Sequence, residues 1–263
     1  MSAISLEEVT VRLGGREVVC GVTADVGEGE WVALIGPNGA GKTSLLRAVA
    51  GLLPCSGTVS LHGTRLEELG RRERAQRLAL VPQEPRTPPW LTVAEYVLLG
   101  RTPYLRPLAR EGEPDREAAA RSLARLDLDE LAERTLGTLS GGERQRVVVA
   151  RALAQEASIV LLDEPTASLD IGHQQQALDL LDVLRDTGGL TLVAAMHDLT
   201  LAAQYADRVL LLDAGRLVAD GAPADVLTEE ALARHYGARV RVVMLDEGLA
   251  VLPARSASSS LGA

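Results

Sequence analysis

The sequence predicts an α/β domain with a core of parallel strands, an antiparallel β region at the N-terminus and an inserted helical segment. Short strands separated by glycine-rich turns fill residues 4–35. Apolar runs that scarcely alternate stand at 31–35, 158–162 and 190–195, as expected for central parallel strands covered on both faces. From Thr92 to about Ala157 the apolar spacing is mainly helical, which places the insertion at about 84–157.

The remaining elements follow the same periodicities. A helix is expected over 42–52, and the proline-rich stretch 83–89 is expected to be a loop. The charged run 71–74 is typical of a solvated helix face. The other predicted strands lie at 4–13, 16–26, 57–62, 78–82, 208–213 and 216–220. The domain is expected to span 1–240, followed by an extension at 241–254 and a small, polar, disordered tail at 255–263.

Composition excludes several classes of protein. The chain has 263 residues, 46% of them hydrophobic, which is enough for a sizeable core. Its 27 basic and 36 acidic residues give a net charge of −9, which argues against a general nucleic-acid binder. Apolar runs fall short of the roughly 18 residues of a membrane span, and the N-terminus lacks signal-peptide features. We therefore expect a soluble, cytoplasmic protein in which Cys20 and Cys55 are reduced packing thiols, a disulfide being the alternative.

Only one of the 27 basic residues is a lysine, and it completes a phosphate-loop motif. The motif GxxxxGK[ST] is matched by Gly36-Pro37-Asn38-Gly39-Ala40-Gly41-Lys42-Thr43, between a strand and a helix. Its backbone N–H groups and the helix N-terminus would hold phosphates. We expect Lys42 to reach the β- and γ-phosphates and Thr43 to ligate Mg²⁺, with Ser44 also at the nucleotide.

A second group of candidate residues ends the apolar strand at 158–162. Asp163 and Glu164 follow it, at the sheet edge where ligands gather in open α/β folds. Asp163 is expected to hold Mg²⁺ through water, and Glu164 to polarise the attacking water. Without the phosphate loop upstream, an ordinary acidic turn would be the better interpretation.

A third motif opens a helical stretch near residue 140. Ser140-Gly141-Gly142-Glu143 offers a hydroxyl and unhindered N–H groups, which suit an anion. Alone, such a motif is more often a plain helix cap. A second phosphate cradle in one chain is also superfluous, unless the two cradles come from different subunits.

Six motifs in order resemble those of ATP-binding cassette (ABC) ATPases, and the resemblance covers about residues 4–240. They are the loop 36–43, Gln83, Leu139–Glu143, Asp163-Glu164, Ser168-Leu169-Asp170 and His197. The resemblance implies a P-loop NTPase (RecA-like) core with an N-terminal antiparallel β subdomain and an inserted helical subdomain. It also implies a head-to-tail homodimer that binds two ATP molecules with Mg²⁺.

The resemblance assigns a role to each motif. Each ATP would lie between the phosphate loop of one subunit and the 140–143 motif of the other. Gln83 is similar to the sensor of Mg²⁺ and γ-phosphate, Glu164 to the catalytic base and His197 to the switch histidine. Asp170 resembles the residue that couples the two sites. The other histidines, His62, His173 and His235, are expected to be solvated loop residues.

One feature departs from the family pattern. Such ATPases usually stack adenine on an aromatic residue near the position of Leu13, and residues 1–30 contain none. Stacking is worth about 1–3 kcal/mol per base. We expect either a weaker grip on adenine or apolar contact from Leu13 and Val18.

Two segments resemble the ATPases of importers for iron–siderophore complexes, haem and cobalamin. They are Val93–Tyr104, with its Gly100-Arg101-Thr102-Pro103-Tyr104 pattern, and 221–228 with Tyr236-Gly237. This resemblance implies two permease subunits, an extracytoplasmic solute-binding protein and a location at the cytoplasmic face of the membrane. Gly100 and Pro103 also simply break a helix.

Three alternatives stay open at this point. An exporter ATPase is disfavoured by the 100–104 pattern. A DNA-repair or cluster-assembly ABC ATPase is a second alternative, although a repair clamp would need a longer coiled-coil insertion. The third, a nucleotide sensor without turnover, is disfavoured because Glu164 and His197 are both present.

Overall fold

A computed structural model describes residues 1–106, 108–166, 169–245 and 248–255 of the chain. Its strands are β1 (Ser2–Leu13), β2 (Arg16–Gly27), β3 (Trp31–Ile35), β4 (Cys55–Leu61), β5 (Thr64–Arg65), β6 (Leu78–Val81), β7 (Ile159–Asp163), β8 (Thr191–Ala195), β9 (Arg208–Asp213), β10 (Arg216–Gly221), β11 (Val240–Leu245) and β12 (Gly248–Pro253). Its α-helices are α1 (Lys42–Val49), α2 (Arg71–Arg77), α3 (Val93–Leu98), α4 (Glu113–Ala124), α5 (Gly141–Ala154), α6 (Ile171–Gly188), α7 (Leu199–Tyr205), α8 (Pro223–Val226) and α9 (Glu229–Tyr236). Short 3-10 helices occupy Leu99–Tyr104, Asp129–Leu131 and Leu136–Thr138.

The central sheet is mainly parallel and has the strand order β10-β9-β3-β8-β7-β6, with only the edge strand β10 antiparallel. Every residue of β3, β7 and β8 is buried. This confirms the prediction from their continuous apolar runs, because strands covered on both faces have no polar face to show. A second sheet, β2-β1-β4-β5, is antiparallel and forms the predicted N-terminal β region.

The core has two layers, one on each face of the central sheet. Along β3, Val32 and Leu34 point to the layer shared with the antiparallel sheet and α1. Trp31, Ala33 and Ile35 point to the opposite layer, which packs against the helices. This alternation follows from the two-residue period of a strand. It leaves the carboxyl ends of the central strands free to carry the site.

Several elements differ from the sequence-based expectation. The first helix ends at Val49 rather than residue 52, since Gly51 takes a left-handed φ of 68°. The run 71–74 begins α2, which buries none of its residues and is therefore the expected solvated helix. Strands β11 and β12 form an antiparallel hairpin, and Thr200 of α7 bonds the backbone of Val251 in it.

The helices α3, α4 and α5 lie between β6 and β7 in the chain and pack against one another. The described part of the chain contains no helix long and apolar enough to cross a bilayer. Cys20 and Cys55 are free thiols. Of the predicted tail, only Arg255 belongs to the described residues.

Candidate active site

The phosphate loop links the carboxyl end of β3 to α1, and three of its glycines have positive φ angles. A Cβ at Gly36 would lie 2.2 Å from the carbonyl oxygen of Leu212, and one at Gly41 would lie 2.4 Å from that of Val18. Side chains at these two positions would therefore push the loop off the backbone beneath it. Glycine lets the loop turn tightly with its N–H groups free to face phosphates.

Lys42 spans the inside of the loop. Its Nζ donates to the carbonyl oxygens of Gly36 at 2.7 Å and Pro37 at 3.3 Å, and the residue is only 5% exposed. Burial lowers the pKa of this ammonium, and the carboxylates of Glu164 and Asp163 partly offset that effect. A bound phosphate would add further negative charge beside the buried ammonium.

Asp163 ends β7 beside the loop. Its Oδ1 accepts a hydrogen bond from the Thr43 hydroxyl at 2.8 Å, and the residue is 1% exposed. Burial raises the pKa of Asp163, against the hydrogen bond from Thr43, which lowers it. A cation placed here would favour the charged carboxylate.

This oxygen pair fits Mg²⁺, the hard cation that prefers oxygen ligands and keeps several waters. Among the described residues, no group of three or more His, Cys, Asp and Glu side chains could hold a metal ion. A cation at Thr43 and Asp163 would therefore complete its shell with phosphate oxygens and water. That is the usual arrangement of Mg²⁺ with nucleotide substrates.

Glu164 follows Asp163 and is held by the two residues that were predicted to accompany it. Gln83 Nε2 donates to Glu164 Oε2 at 2.5 Å, and His197 Nε2 contacts Glu164 Oε1. The backbone of Glu164 has a φ of 54°, and its N–H donates to Ala195 O at 3.1 Å. Both carboxylate oxygens are therefore in contact with another side chain, and the Glu164 side chain is only 10% exposed.

The strand order explains why Gln83 and His197 lie beside Glu164. Gln83, Glu164 and His197 follow β6, β7 and β8, which are neighbours in the sheet, and β3 beside them leads into the phosphate loop. The carboxyl ends of parallel strands meet at one edge, as in other open α/β folds. Residues 81 and 33 positions apart in the chain thus converge on one carboxylate.

A cavity of about 240 Å³ opens over the loop. It is lined by Val18, Asn38, Gly39, Ala40, Gly41, Lys42, Thr43, Ser44 and Glu164. Val18, one of the two residues expected to offer adenine an apolar contact, is among these lining residues. Leu13 is 41% exposed and is not among the described residues that line this cavity.

The motif at 140–143 lies apart from this cavity, at the start of α5. The Ser140 hydroxyl accepts from the N–H of Glu143 at 3.3 Å, and Glu143 Oε2 accepts from the N–H of Ser140 at 2.7 Å. Hydrogen bonds from the backbone and the side chain of Ser140 to the carboxylate lower the pKa of Glu143. The result is a capping box, beside which Gly141 is exposed and Gly142 buried.

Asp170 caps α6 in the same way, because its Oδ1 accepts from the N–H of His173 at 3.0 Å. Ser168, part of the same motif, lies outside the described residues. The structure therefore gathers the loop, Gln83, Asp163, Glu164 and His197 into one site. The segment 140–143 and Asp170 lie at the starts of two other helices.

Two histidines that were predicted to be solvated loop residues lie on helices instead, and of these His173 is solvated as predicted, with a side chain 45% exposed. His173 lies in the first turn of α6, with Nδ1 2.8 Å from Asp170 Oδ1. His235 lies on α9 with a side chain only 14% exposed, and its Nδ1 is 2.8 Å from Asp213 Oδ2. The three-residue spacing from Asp170 to His173 is the sequence signal that could have revealed the first contact.

The sequence profile of the ABC transporter family matches residues 19–167. The chain belongs to this family. Ferric enterobactin transport ATP-binding protein FepC of Escherichia coli (strain K12) is 40% identical to this ABC ATPase over 94% of this chain and 91% of that protein. Hemin import ATP-binding protein HmuV of Myxococcus xanthus (strain DK1622) is 48% identical over 82% of each chain. Cobalamin import ATP-binding protein BtuD of Halobacterium salinarum (strain ATCC 29341 / DSM 671 / R1) is 42% identical over 88% of this chain and 58% of that protein.

Solved structures agree with the fold. An inward-facing ABC transporter described as metal-chelate type contains a chain with a TM-score of 0.85 and 27% identity, which covers 98% of this chain and 99% of that one. The dimeric cassette MJ0796 has a TM-score of 0.74 and 30% identity over 84% of this chain and 98% of that one. The predicted ABC ATPase fold is therefore confirmed.

Proposed function

We propose that this ABC ATPase hydrolyses ATP as the energising subunit of an importer for an iron–siderophore complex, haem or cobalamin. The observation that carries the hydrolytic part is the Glu164 carboxylate, held between Gln83 and His197 beside the phosphate loop. The cargo class rests on the relatives, which are named for transport of ferric enterobactin, hemin and cobalamin.

In this proposal the loop N–H groups and Lys42 hold the β- and γ-phosphates. Thr43, Asp163 and Gln83 would hold Mg²⁺, which when bound would supply positive charge beside the phosphates. Binding of ATP draws Gln83 and His197 from Glu164 to the γ-phosphate. The freed Glu164 carboxylate then accepts a proton from the attacking water.

The complete site needs a second copy of the chain. Ser140 and Gly141 are exposed at the start of a 14-residue helix, where N–H groups favour an anion. We place the γ-phosphate of the partner's ATP there, with Asp170 reaching the same site. The dimeric structure of MJ0796, a relative in fold, supports a homodimer.

A permease would dock on two adjoining cavities beside β6. They measure about 520 and 400 Å³ and share Leu52, Leu80 and Gln155. Leu52 is 65% exposed, and exposed apolar side chains beside a cavity are typical of an interaction surface. Tyr96, from the segment Val93–Tyr104 that resembles importer ATPases, lines the second cavity.

The Gly100–Tyr104 pattern within that segment has a packing role. Arg101 is 5% exposed and bonds Asp115 at 3.2 Å and Glu156 at 2.7 Å. A Cβ at Gly100 would lie 2.3 Å from Arg151 O. This pattern thus ties α3 to the end of α5, beneath the proposed docking surface.

The assembly follows from these surfaces. Two copies would bind two permease subunits at the cytoplasmic face of the membrane, and an extracytoplasmic solute-binding protein would deliver cargo to the permease. Closure of the dimer on ATP would drive the permease, and hydrolysis would reset it. An exporter or a non-transport ABC ATPase is less well supported, because the relatives above are named for import or transport of the three cargo classes.

The test is uptake of labelled ferric siderophore, haem and cobalamin by vesicles that hold this chain together with a candidate permease and its solute-binding protein. Glu164→Gln should abolish phosphate release and trap ATP-bound dimers, whereas the exposed control Glu130→Gln should leave both unchanged. Unchanged phosphate release in Glu164→Gln would refute the catalytic assignment. Failure to take up any of the three cargo classes would refute the importer assignment.

A further inference from the structure

The two glycines that open α5 have different surroundings. A Cβ added at Gly141 would meet no heavy atom of the described residues within 4 Å. A Cβ added at Gly142 would lie 2.5 Å from Cδ2 and 2.9 Å from Nε2 of His173. Only the first glycine therefore faces open space, where a ligand from another subunit could approach.

The backbone does not require glycine at the second position. Gly142 lies in the first turn of α5 and is not among the described residues with positive φ. Its lack of a side chain is explained instead by the ring of His173, which packs directly on its Cα. Real Cβ atoms do not approach other atoms this closely, so alanine here would force the ring or the helix to move.

The ring of His173 is itself held in place. Its Nδ1 lies 2.8 Å from Asp170 Oδ1, and the N–H of His173 donates to the same oxygen at 3.0 Å. These bonds lower the pKa of Asp170, so the carboxylate is ionised at neutral pH and can only accept hydrogen bonds. Nδ1 is therefore the protonated nitrogen, and the opposite edge of the ring faces Gly142.

Further along the two helices, Gln145 and Val149 of α5 and Gln176 and Leu180 of α6 line a small cleft of about 20 Å³. Such a volume holds about one water molecule. Gly142 and His173 line the same cleft, so their contact joins the start of α5 to α6.

We propose that His173 is a positioning residue that fixes the start of α5 against Asp170 within one subunit. The Ser140–Gly141 cradle and Asp170 would then reach the partner's nucleotide as one rigid unit. Closure at one nucleotide site would thereby be coupled to closure at the other. This inference rests on the proposed function, in which both segments face the partner.

The test is suppression of one substitution by another. Gly142→Ala, His173→Ala and the double variant are made in the Glu164→Gln chain, and ATP-dependent dimers are measured by light scattering. Gly142→Ala alone should raise the ATP concentration for half-maximal dimerisation roughly tenfold, because the added methyl meets the ring. In the His173→Ala background, Gly142→Ala should raise the ATP concentration for half-maximal dimerisation by less than about threefold, since the obstructing ring is gone.

His173→Ser is the second suppressor, because it removes the whole ring that faces Gly142 and keeps a hydroxyl donor in the first turn of α6. In chains with Glu164 intact, the same substitutions should lower kcat while ATP binding to the monomer stays within about twofold, since neither residue lines the cavity over the phosphate loop. This split distinguishes positioning from a general loss of fold.

The outcomes separate the two proposals. An equal defect of Gly142→Ala with and without His173 would overturn this inference, because the glycine would then be needed only for the partner's nucleotide. Absence of ATP-dependent dimers in the Glu164→Gln chain with Gly142 and His173 intact would overturn the proposed function instead.

Discussion

Replacement of Lys42 by arginine tests why the chain keeps a single lysine among 27 basic residues. Arginine stays protonated at any pH that the protein tolerates. A defect in Lys42→Arg therefore reports the shape of the cation rather than its charge. The lysine is 5% exposed and threads past Gly36 O and Pro37 O, 2.7 and 3.3 Å from its Nζ.

The magnitude follows from the space around Nζ. A planar guanidinium is larger than the ammonium and must fit where Gly36 already lies so close to Leu212 that a Cβ would be 2.2 Å from its carbonyl oxygen. Overpacking a tight site costs about 1–3 kcal/mol. If that cost falls on the bound phosphates, kcat/KM should drop about 5- to 140-fold, at 1.4 kcal/mol per tenfold.

The assay is phosphate release as a function of ATP concentration, in the purified chain with Mg²⁺. Arg125→Lys is the matched control, because it makes the reverse exchange at an exposed position on the helical segment. It should retain the parent kcat/KM. Wild-type turnover in Lys42→Arg would refute the argument that this position needs a compact cation.

Three further predictions address other parts of the molecule. Ser140→Arg should block ATP-dependent dimerisation and leave ATP binding to the monomer intact; dimers that persist in light scattering would contradict the shared site. Arg101→Met should lower the free energy of unfolding by about 2 kcal/mol, because it removes a buried guanidinium and leaves Asp115, whose side chain is 14% exposed, without its ion-pair partner, whereas the exposed Arg121→Met should cost under about 1 kcal/mol in urea titrations. Glu143 has a lowered pKa in the folded chain, so its stabilising effect is present above the ordinary glutamate pKa and lost as pH falls through the folded value. The Tm difference between wild type and Glu143→Gln should therefore shrink on acidification, and an equal difference at pH 7 and pH 3 would contradict this assignment.

Periodicity predicted most of the fold, since it reports burial directly. The strands β3, β7 and β8 were recognisable because both of their faces are covered, which requires uninterrupted apolar residues. The C-terminal hairpin was not recognised. Its β11 is partly exposed along its length, and what holds β12 is Thr200 of α7, some fifty residues away in the chain. Such a contact leaves no local pattern.

The site likewise has parts that the sequence predicted and parts that it did not. The phosphate loop was recognisable because its glycines, lysine and hydroxyl act within eight consecutive residues. The grouping of Gln83, Glu164 and His197 rested on the family resemblance. The local sequence does not indicate that β6, β7 and β8 are neighbours in the sheet. It is this strand order that brings the three side chains together.

By itself the sequence determined the fold class, the phosphate loop and the acidic strand end, all of which depend on residues close together in the chain. The tertiary structure determined the features that depend on contacts between residues far apart in the chain. It buried the arginine of the 100–104 pattern between two carboxylates, placed His173 on a helix against Gly142, and brought two distant residues to Glu164. The reason is physical: local patterns encode which face of an element is buried, and they do not encode which element buries it.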